Sequence, residues 1–310
     1  MPESILVTGG AGFIGSNLVK KLNELGYSNI TITDDLTDGT KCRNLVNLEF
    51  KDYLDYRALF SKWKKLYFSV IFHQGACSDT TVADGRFIMD VNYEYSKKLL
   101  KYAAKECIPF IYASSAAVYG NGENGFEEKR ECEAPLNPYA FSKFQFDRYM
   151  LREFSDLNLK TIGLRYFNVY GSGEAHKAKM SSVAYHLYNQ VKRGESMKLF
   201  DGSDSFLRDF VYIDDVVSVI IHMWQNDVPS GVYNCGTGRA ESFTAVAEAV
   251  HECYPSVQLE YIPFPEELKG KYQKFTQADL KKLRETAGYK NPFTSVNEGV
   301  REYMRLLEGL

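Results

Sequence analysis

The residue types and spacing that can do chemistry converge on one tyrosine. Tyr139 and Lys143 stand four apart in Asn137-Pro138-Tyr139-Ala140-Phe141-Ser142-Lys143. Asn137 is a good N-cap and Pro138 suits a first helical position, so a helix is predicted to begin here. Residues four apart on a helix share a face, which brings an ammonium near a phenol. A cation beside a phenol favours the phenolate, so Tyr139 could act as a base well below the reference pKa of about 10. Ser115 ends an apolar run over 109–114 and could hydrogen-bond the same substrate oxygen. Alone, the YxxxK spacing also fits a solvated helix with a Tyr–Lys contact. A second feature upstream decides between the two.

That feature is Gly9-Gly10-Ala11-Gly12-Phe13-Ile14-Gly15. It follows the apolar run Ile5-Leu6-Val7, which reads as a buried strand, and runs into a segment of helical spacing. A glycine-rich turn between strand and helix lets backbone N–H groups approach a diphosphate, and the helix N-terminus adds its positive dipole end. Asp34 closes the next apolar run about 20 residues on, where an acid could bind an adenosine ribose hydroxyl. Gly9, Gly12, Phe13, Ile14, Gly15 and Asp34 are therefore candidate dinucleotide contacts. A cationic nicotinamide ring would add to the pull of Lys143 on Tyr139.

The elements that must position these groups alternate along the first half of the chain. Strand-like runs at 4–8, 30–34, 69–74, 109–114 and 160–167 are separated by helical spacing at 13–26, 53–66, 84–107 and 137–155. This rhythm predicts an α/β fold, a Rossmann-type doubly wound parallel sheet with helices on both faces. Ligands of such a sheet bind outside the carboxyl ends of its strands, where the glycine turn, Gln74-Gly75-Ala76-Cys77-Ser78 and Ser114-Ser115 all fall. After about residue 168 the rhythm breaks. Segment 171–179 is polar and irregular, a helix is predicted at 180–193, and short strands near 197–200 and 209–213. Residues 214–226 read as helix, 231–235 as one more sheet strand and 262–275 as an ordered loop, with two further helices closing the chain. A smaller C-terminal α/β substrate-binding lobe is the expectation. The dinucleotide-binding domain would comprise 1–168 plus about 209–240, and the substrate lobe about 169–208 and 241–310.

Composition narrows the class. A net charge of -3 gives no electrostatic reason to bind nucleic acid or a membrane surface, and no apolar run approaches a membrane span. The first residues carry neither a basic leader nor a cleavage site, so the expected location is cytoplasmic. The six cysteines form no CxxC pair and the five histidines have no ligand spacing, so no metal is expected. The many aromatics, 22 Tyr and 20 Phe, read mainly as core and interface filling.

Taken together, GGAGFIG, ASSAAVYG (113–120), NPYAFSK (137–143) and RYFNVYG (165–171) resemble the extended short-chain dehydrogenase/reductases, which include sugar-nucleotide epimerases and dehydratases. Within that group, QGACSDTT (74–81), EAHKAKMSSVAYH (174–186), LRDFVY (207–212), GTGRAESF (236–243) and EYIPFPEELKGKYQKFTQADL (260–280) are similar to the ADP-glycero-manno-heptose 6-epimerases, from residue 4 to about 305. The resemblance implies interconversion of the two C-6 epimers of ADP-glycero-manno-heptose, a precursor of the lipopolysaccharide core, through oxidation and re-reduction by bound NADP. It implies Tyr139 as the catalytic tyrosine with Lys143 as its partner, and Lys177 as a second acid/base on the other face. Asp34, Asp35, Lys41, Gln74, Gly75, Ala76, Cys77, Ser78 and Asn92 match cofactor positions. Asn168, Lys177, Lys179, His186, Phe200, Asp201, Gly202, Ser203, Arg208 and Tyr272 match substrate positions. Arg208 would grip the diphosphate with two parallel hydrogen bonds. The family also implies a homo-oligomer, a pentamer.

Three departures stand out. Asp35 replaces a usual Asn and Tyr56 replaces a lysine, changes that set a carboxylate near a 2′-phosphate and remove a cation, so NAD is the alternative to NADP. Lys41 and Arg43 remain to offset them. Lys179 replaces a small polar residue. Two other readings compete: a 4-epimerase or dehydratase of the same fold, and a non-catalytic dinucleotide sensor. A dehydratase would be expected to carry an Asp-Glu pair where this chain has Ala116-Ala117, and a sensor would lack the tyrosine.

Overall fold

The computed structural model describes residues 3–63, 66–153, 159–266 and 273–310. Seven strands form one parallel sheet: β1 (Ile5–Thr8), β2 (Ile30–Asp34), β3 (Asp52–Asp55), β4 (Val70–His73), β5 (Phe110–Ser115), β6 (Thr161–Tyr166) and Gly231–Cys235. Across the sheet the order is β3, β2, β1, β4, β5, β6, then Gly231–Cys235. Chain direction across the sheet reverses between β1 and β4, so a crevice opens beyond Thr8 and His73.

Five helical pieces of the first half, α1 (Phe13–Glu24), α2 (Leu59–Lys62), α3 (Gly85–Ile88), α4 (Tyr95–Lys105) and α5 (Pro138–Glu153), connect these strands. The period of two along each strand feeds two cores. Ile5, Val7, Val70 and Phe72 pack on one face with Leu18 and Leu22 of α1 and with Val216 and Ile220 of the helix Ile213–Gln225. Leu6, Ile71, Phe110 and Tyr112 point the other way, onto Leu99 and Leu100 of α4 and Phe146 and Met150 of α5. Each fully buried aliphatic contributes about 1.5–3 kcal/mol, whereas an exposed ion pair gives roughly 0–1, so the two faces carry the fold.

Three predicted elements differ. The helix predicted over 53–66 is instead β3 followed by the one-turn α2, because Asp52–Asp55 completes the sheet edge beside β2. Only Leu54 of that strand is buried, so its apolar pattern was too thin to reveal it. The helix over 84–107 is interrupted by a π-helical segment, Met89–Glu94, between α3 and α4. The strand predicted at 209–213 is split into Leu207–Arg208 and Phe210–Tyr212, with the helix starting at Ile213.

The splitting residue is Asp209, which is wholly buried. Its carboxylate accepts N–H bonds from Thr237 at 2.7 Å, Gly238 at 2.9 Å and Ala278 at 2.9 Å, plus the Thr237 hydroxyl at 2.7 Å. It thereby gathers segments 207–212, 236–238 and 276–278. Around it three two-stranded pairs form: Asn168–Tyr170 with Phe210–Tyr212, Leu207–Arg208 with Glu241–Ser242, and Met197–Phe200 with Leu259–Ile262. Helices Val183–Lys192, Phe243–Cys253 and Val296–Leu307 pack beside them. Of the two helices expected beyond the 262–275 loop, one is the π-helical Lys282–Thr286 and the other Val296–Leu307, which starts with a Ser295/Glu298 capping box. Part of that loop, 267–272, lies outside the described residues. Among the described residues no helix is long and apolar enough to cross a membrane.

Two substitutions test these constraints. A Cβ on Gly15 would sit 2.1 Å from the Gly9 carbonyl oxygen, backbone that cannot step aside. Gly15→Ala is expected to cost about 3 kcal/mol by overpacking, read as a lowered urea midpoint; an unchanged midpoint would show that the turn has slack. Asp209→Ala leaves three buried amides unpaired and is expected to cost at least about 3 kcal/mol in the same measurement. A midpoint close to wild type would show that water replaces the carboxylate.

Candidate active site

The turn after β1 and the loop after β4 touch. Gly9 has φ +69°, and a Cβ there would lie 2.6 Å from the Gly75 Cα and N. Behind the contact runs a buried polar chain. The Gly75 N–H donates to Thr8 Oγ1 at 3.3 Å, and Thr8 Oγ1 lies 2.6 Å from His73 Nδ1. His73 Nε2 lies 2.7 Å from Ser96 Oγ, which donates to the Asn92 carbonyl. Burial pushes His73 down to about 3, so the ring is neutral. Because the Ser96 proton is committed to Asn92, the His73 proton belongs on Nε2 and Nδ1 accepts from Thr8.

Asn92 stands in the π-helical segment and is 1% exposed. Its Oδ1 accepts the Cys77 N–H at 2.8 Å, and its Nδ2 donates to Cys77 O at 3.0 Å and Ser142 Oγ at 3.1 Å. Asn92 therefore holds the loop from behind. Gln74 is held by the Tyr166 hydroxyl, 2.8 Å from its Oε1. Ala76, Cys77 and Ser78 line the outer part of this loop, with Ser78 exposed.

Asp34 is buried at the end of β2. Its Oδ2 accepts the Ala11 N–H at 2.9 Å, and Oδ1 accepts the Asp35 N–H at 2.7 Å and Lys41 Nζ at 3.0 Å. The Thr37 hydroxyl and N–H hold the Asp35 carboxyl below the usual range. Arg57, which sequence reading passed over, pairs with Asp55 at 3.0 Å and lies 5.4 Å over the Tyr56 ring; Arg43 is exposed. The cradle that side chains would fill, the α1 N-terminus without a side-chain cap at Gly12, and the acid closing β2 together fit a dinucleotide.

The helix predicted from Asn137 is α5, and Asn137 Oδ1 accepts the Ala140 N–H at 2.8 Å. The Tyr139 hydroxyl hydrogen-bonds Ser115 at the end of β5. Lys143 is 5% exposed and donates to Ala113 O at 2.8 Å. The electrostatics run opposite to the expectation of a depressed phenol. Burial pushes Tyr139 up, with the Ser115 hydrogen bond opposing, and pushes Lys143 down to about 8. Desolvation disfavours both charged forms, and the Lys143 ammonium is anchored on a carbonyl.

Lys177 sits on the 3-10 segment Ala175–Met180, its Nζ 5.3 Å from the Phe13 ring centroid. Burial lowers its pKa. The segment is fixed from three sides. Buried Glu174 accepts the Ser182 hydroxyl at 2.6 Å and its N–H at 2.5 Å. Asn17 Nδ2 donates to Phe13 O at 2.9 Å and Ser172 O at 2.7 Å. Asn44 Nδ2 donates to Ala11 O and Gly173 O, both at 3.0 Å. Ala178 takes φ 48°, a left-handed conformation costly for a residue with a Cβ. Asn17 and Asn44 escaped sequence reading because nothing about an isolated asparagine reveals a partner 129–155 residues away. Lys179 reaches Thr81 Oγ1 at 3.1 Å, and His186, exposed, lies with Nε2 3.4 Å from Lys179 O.

The remaining substrate-side positions form a second group among the small strand pairs. Arg208 is 5% exposed; it donates to Leu207 O at 2.9 Å and to Gln273 O, and lies 5.6 Å over the Phe243 ring. Phe200 packs on Phe264 at 5.5 Å, and Ser203 Oγ donates to Phe200 O at 2.6 Å across the turn containing Asp201 and Gly202. Asn168 is exposed, with Oδ1 3.4 Å from Thr276 Oγ1. Tyr272 lies outside the described residues. Among the described residues no three His, Cys, Asp or Glu side chains converge as metal ligands.

The NAD dependent epimerase/dehydratase family matches residues 5–236. The chain is 55% identical over 313 aligned positions to the ADP-L-glycero-D-manno-heptose-6-epimerase of Brachyspira hyodysenteriae, covering 98% of each chain. It superposes on the Helicobacter pylori ADP-L-glycero-D-manno-heptose-6-epimerase with a TM-score of 0.87, at 31% identity, over 99% of this chain and 97% of that one. A UDP-N-acetylglucosamine 4-epimerase from Methanobrevibacter ruminantium M1 gives a TM-score of 0.87 at 25% identity, covering 99% of both chains. With its crevice, its glycine cradle and its Tyr139–Lys143 pair, the chain belongs to the NAD dependent epimerase/dehydratase family.

Proposed function

We propose that this enzyme is an isomerase that interconverts ADP-D-glycero-β-D-manno-heptose and ADP-L-glycero-β-D-manno-heptose at C-6, supplying a heptose for lipopolysaccharide core synthesis. The sugar is supported by 55% identity running the length of the chain. The chemistry is carried by one observation: a partly buried lysine, Lys177, seated against Phe13 of the glycine turn, in addition to the Tyr139–Ser115 pair. Inverting a carbinol carbon through a planar ketone calls for a proton-handling group on each face, or for one base and a rotating intermediate; Tyr139 and Lys177 supply the former.

When bound, the nicotinamide dinucleotide supplies the hydride acceptor and donor for C-6. Gly9, Gly12, Phe13, Ile14 and Gly15 would hold its diphosphate, Asp34 its adenosine ribose, and the 74–78 loop its inner part. Tyr139 takes the C-6 hydroxyl proton while Ser115 holds the oxygen, and Lys143 stabilises the phenolate. Lys177, its pKa lowered by burial, can exchange a proton with the same oxygen presented from the other face. Asn168, Lys179, His186, Phe200–Ser203, Arg208 and Tyr272 would contact the nucleotide sugar. We infer a dinucleotide lobe of 1–168 plus about 209–240 and a substrate lobe of about 169–208 and 241–310. The enzyme is read as cytoplasmic and as a homo-oligomer, a pentamer by resemblance.

Tyr139→Phe keeps the ring and removes the acceptor, so epimerisation followed by proton NMR should fall about 10²–10⁴-fold, the usual worth of a general base. Lys177→Met should also abolish epimer exchange while still allowing one-face oxidation, seen as reduced-nicotinamide absorbance. Full epimerisation by either variant would remove that residue from the mechanism.

NADP is the proposed cofactor, with NAD the alternative. Lys41, Arg43 and Arg57 favour a 2′-phosphate and Asp35 opposes it. Mass analysis of the dinucleotide released on denaturation should find NADP. Asp35→Asn should tighten NADP relative to NAD by about fivefold, the worth of one nearby exposed like charge. Release of NAD alone, with no change in preference on substitution, would reverse the assignment.

A further inference from the structure

We infer that Glu174 is a positioning residue for Lys177: its buried carboxylate closes the neck of the loop that carries the lysine. This rests on the proposed role of Lys177 as the second proton-handling group.

The loop runs from Gly171, after the strand Asn168–Tyr170, to Ser182, before the helix Val183–Lys192. It has no apolar anchor of its own, because no side chain from Ala175 to Met180 is fully buried. It also contains a strained residue. Ala178, next to Lys177, has φ 48° and ψ -118°. A residue with a Cβ stays in that region only where its surroundings hold it there. Polar ties must therefore fix the loop.

The two sides of the loop are tied differently. Ahead of Lys177, Asn17 holds Ser172 O at 2.7 Å and Asn44 holds Gly173 O at 3.0 Å, with His176 Nδ1 3.4 Å from Asn44 Nδ2. Beyond Lys177 the outward contacts are weak. Lys179 reaches Thr81 at 3.1 Å but its side chain is 69% exposed, and His186 Nε2 lies 3.4 Å from Lys179 O. Glu174, wholly buried, supplies the missing tie. Its Oε1 accepts the Ser182 hydroxyl at 2.6 Å and its Oε2 the Ser182 N–H at 2.5 Å, with the Gly171 N–H 3.4 Å from Oε1. Its carbonyl accepts the Lys177 N–H at 2.9 Å and the Ser181 hydroxyl at 3.1 Å. One residue thus joins both ends of the loop and the backbone of the lysine between them. Bonds to a carboxylate are the stronger kind, and a glutamine, with one acceptor oxygen in place of two, cannot keep both Ser182 bonds as they stand.

The test compares Glu174→Gln, Lys177→Met and the double variant as holoenzymes. In Glu174→Gln, epimerisation of ADP-heptose followed by proton NMR should fall about 10–10²-fold, the loss that a displacement of about 1 Å produces. Oxidation from the Tyr139 face, read as reduced-nicotinamide absorbance on adding ADP-heptose, should stay within about twofold of wild type. Placed in Lys177→Met, Glu174→Gln should cost at most about twofold more, because a residue that acts through Lys177 then has nothing left to position. A further readout needs no turnover. In protein labelled at lysine Cε, with Lys177 assigned by Lys177→Arg, the ring-current shift from Phe13, defined by comparison with Phe13→Leu, should shrink in Glu174→Gln. An unmoved Lys177 resonance overturns the inference. So does an equal loss of epimerisation in the wild-type and Lys177→Met backgrounds, or a loss of one-face oxidation as large as the loss of epimerisation. If Glu174→Gln does not fold, Ser182→Ala cuts the same neck from its other side and is read in the same way. A displaced resonance with unchanged epimerisation upholds the neck and strikes instead at the proposed role of Lys177.

Discussion

Two stretches of backbone meet where β1 and β4 end, and the rest of the site is built outward from that contact. Gly9 and Gly75 approach too closely for either to carry a side chain without displacement. Such an approach exposes backbone N–H groups to a ligand, but it needs support from behind. The Thr8–His73–Ser96 chain supplies it, ending on the carbonyl of Asn92. The Asn92 side chain then reaches Cys77 on one side and Ser142 of α5 on the other, and Ser142 in turn donates to the Tyr139 carbonyl. One unbroken set of hydrogen bonds therefore links the first strand of the sheet to the tyrosine proposed to handle the substrate proton.

The electrostatic pattern follows from how much of this machinery is buried. A phenol and an amine taken out of water both drift toward neutrality. The chain anchors each on a neutral partner, Lys143 on the Ala113 carbonyl and Tyr139 on Ser115. The same economy appears at Asp209, whose four donors include three backbone N–H groups, so a carboxylate is held in the interior with no basic side chain among them. Backbone dipoles can do this because they are fixed by the fold and pay no ordering cost when the charge appears.

Much of the fold was legible because it rests on local signals. The strand–glycine–helix transition at 5–24 is written in adjacent residues, and Asn137-Pro138 announces the start of α5. The YxxxK spacing pointed to the helix face that meets Ser115 and the Ala113 carbonyl, although it could not reveal that burial reverses the expected shift on Tyr139. Long-range causes were hidden. Asp52–Asp55 is a strand only because β2 leaves an open edge. The π-helical turn that aims Asn92 leaves no mark in the apolar spacing. Asp209 looked like an ordinary strand residue, since its partners lie 28 to 69 positions away. Lys177 alone reads as a loop lysine; its contact with Phe13 depends on two asparagines whose pairings no local pattern encodes.

Those two asparagines set where the molecule can bend. Asn17 and Asn44 each bind a carbonyl of the glycine turn and a carbonyl of segment 172–173, so the backbone leading to Lys177 is stitched to the first helix turn of the sheet domain. By chain order the lysine belongs with the residues that follow β6, but mechanically it belongs with β1. Any displacement of that segment has to break these hydrogen bonds first, so the distance between Lys177 and Phe13 is set by the sheet domain and not by the residues that follow β6 in the chain.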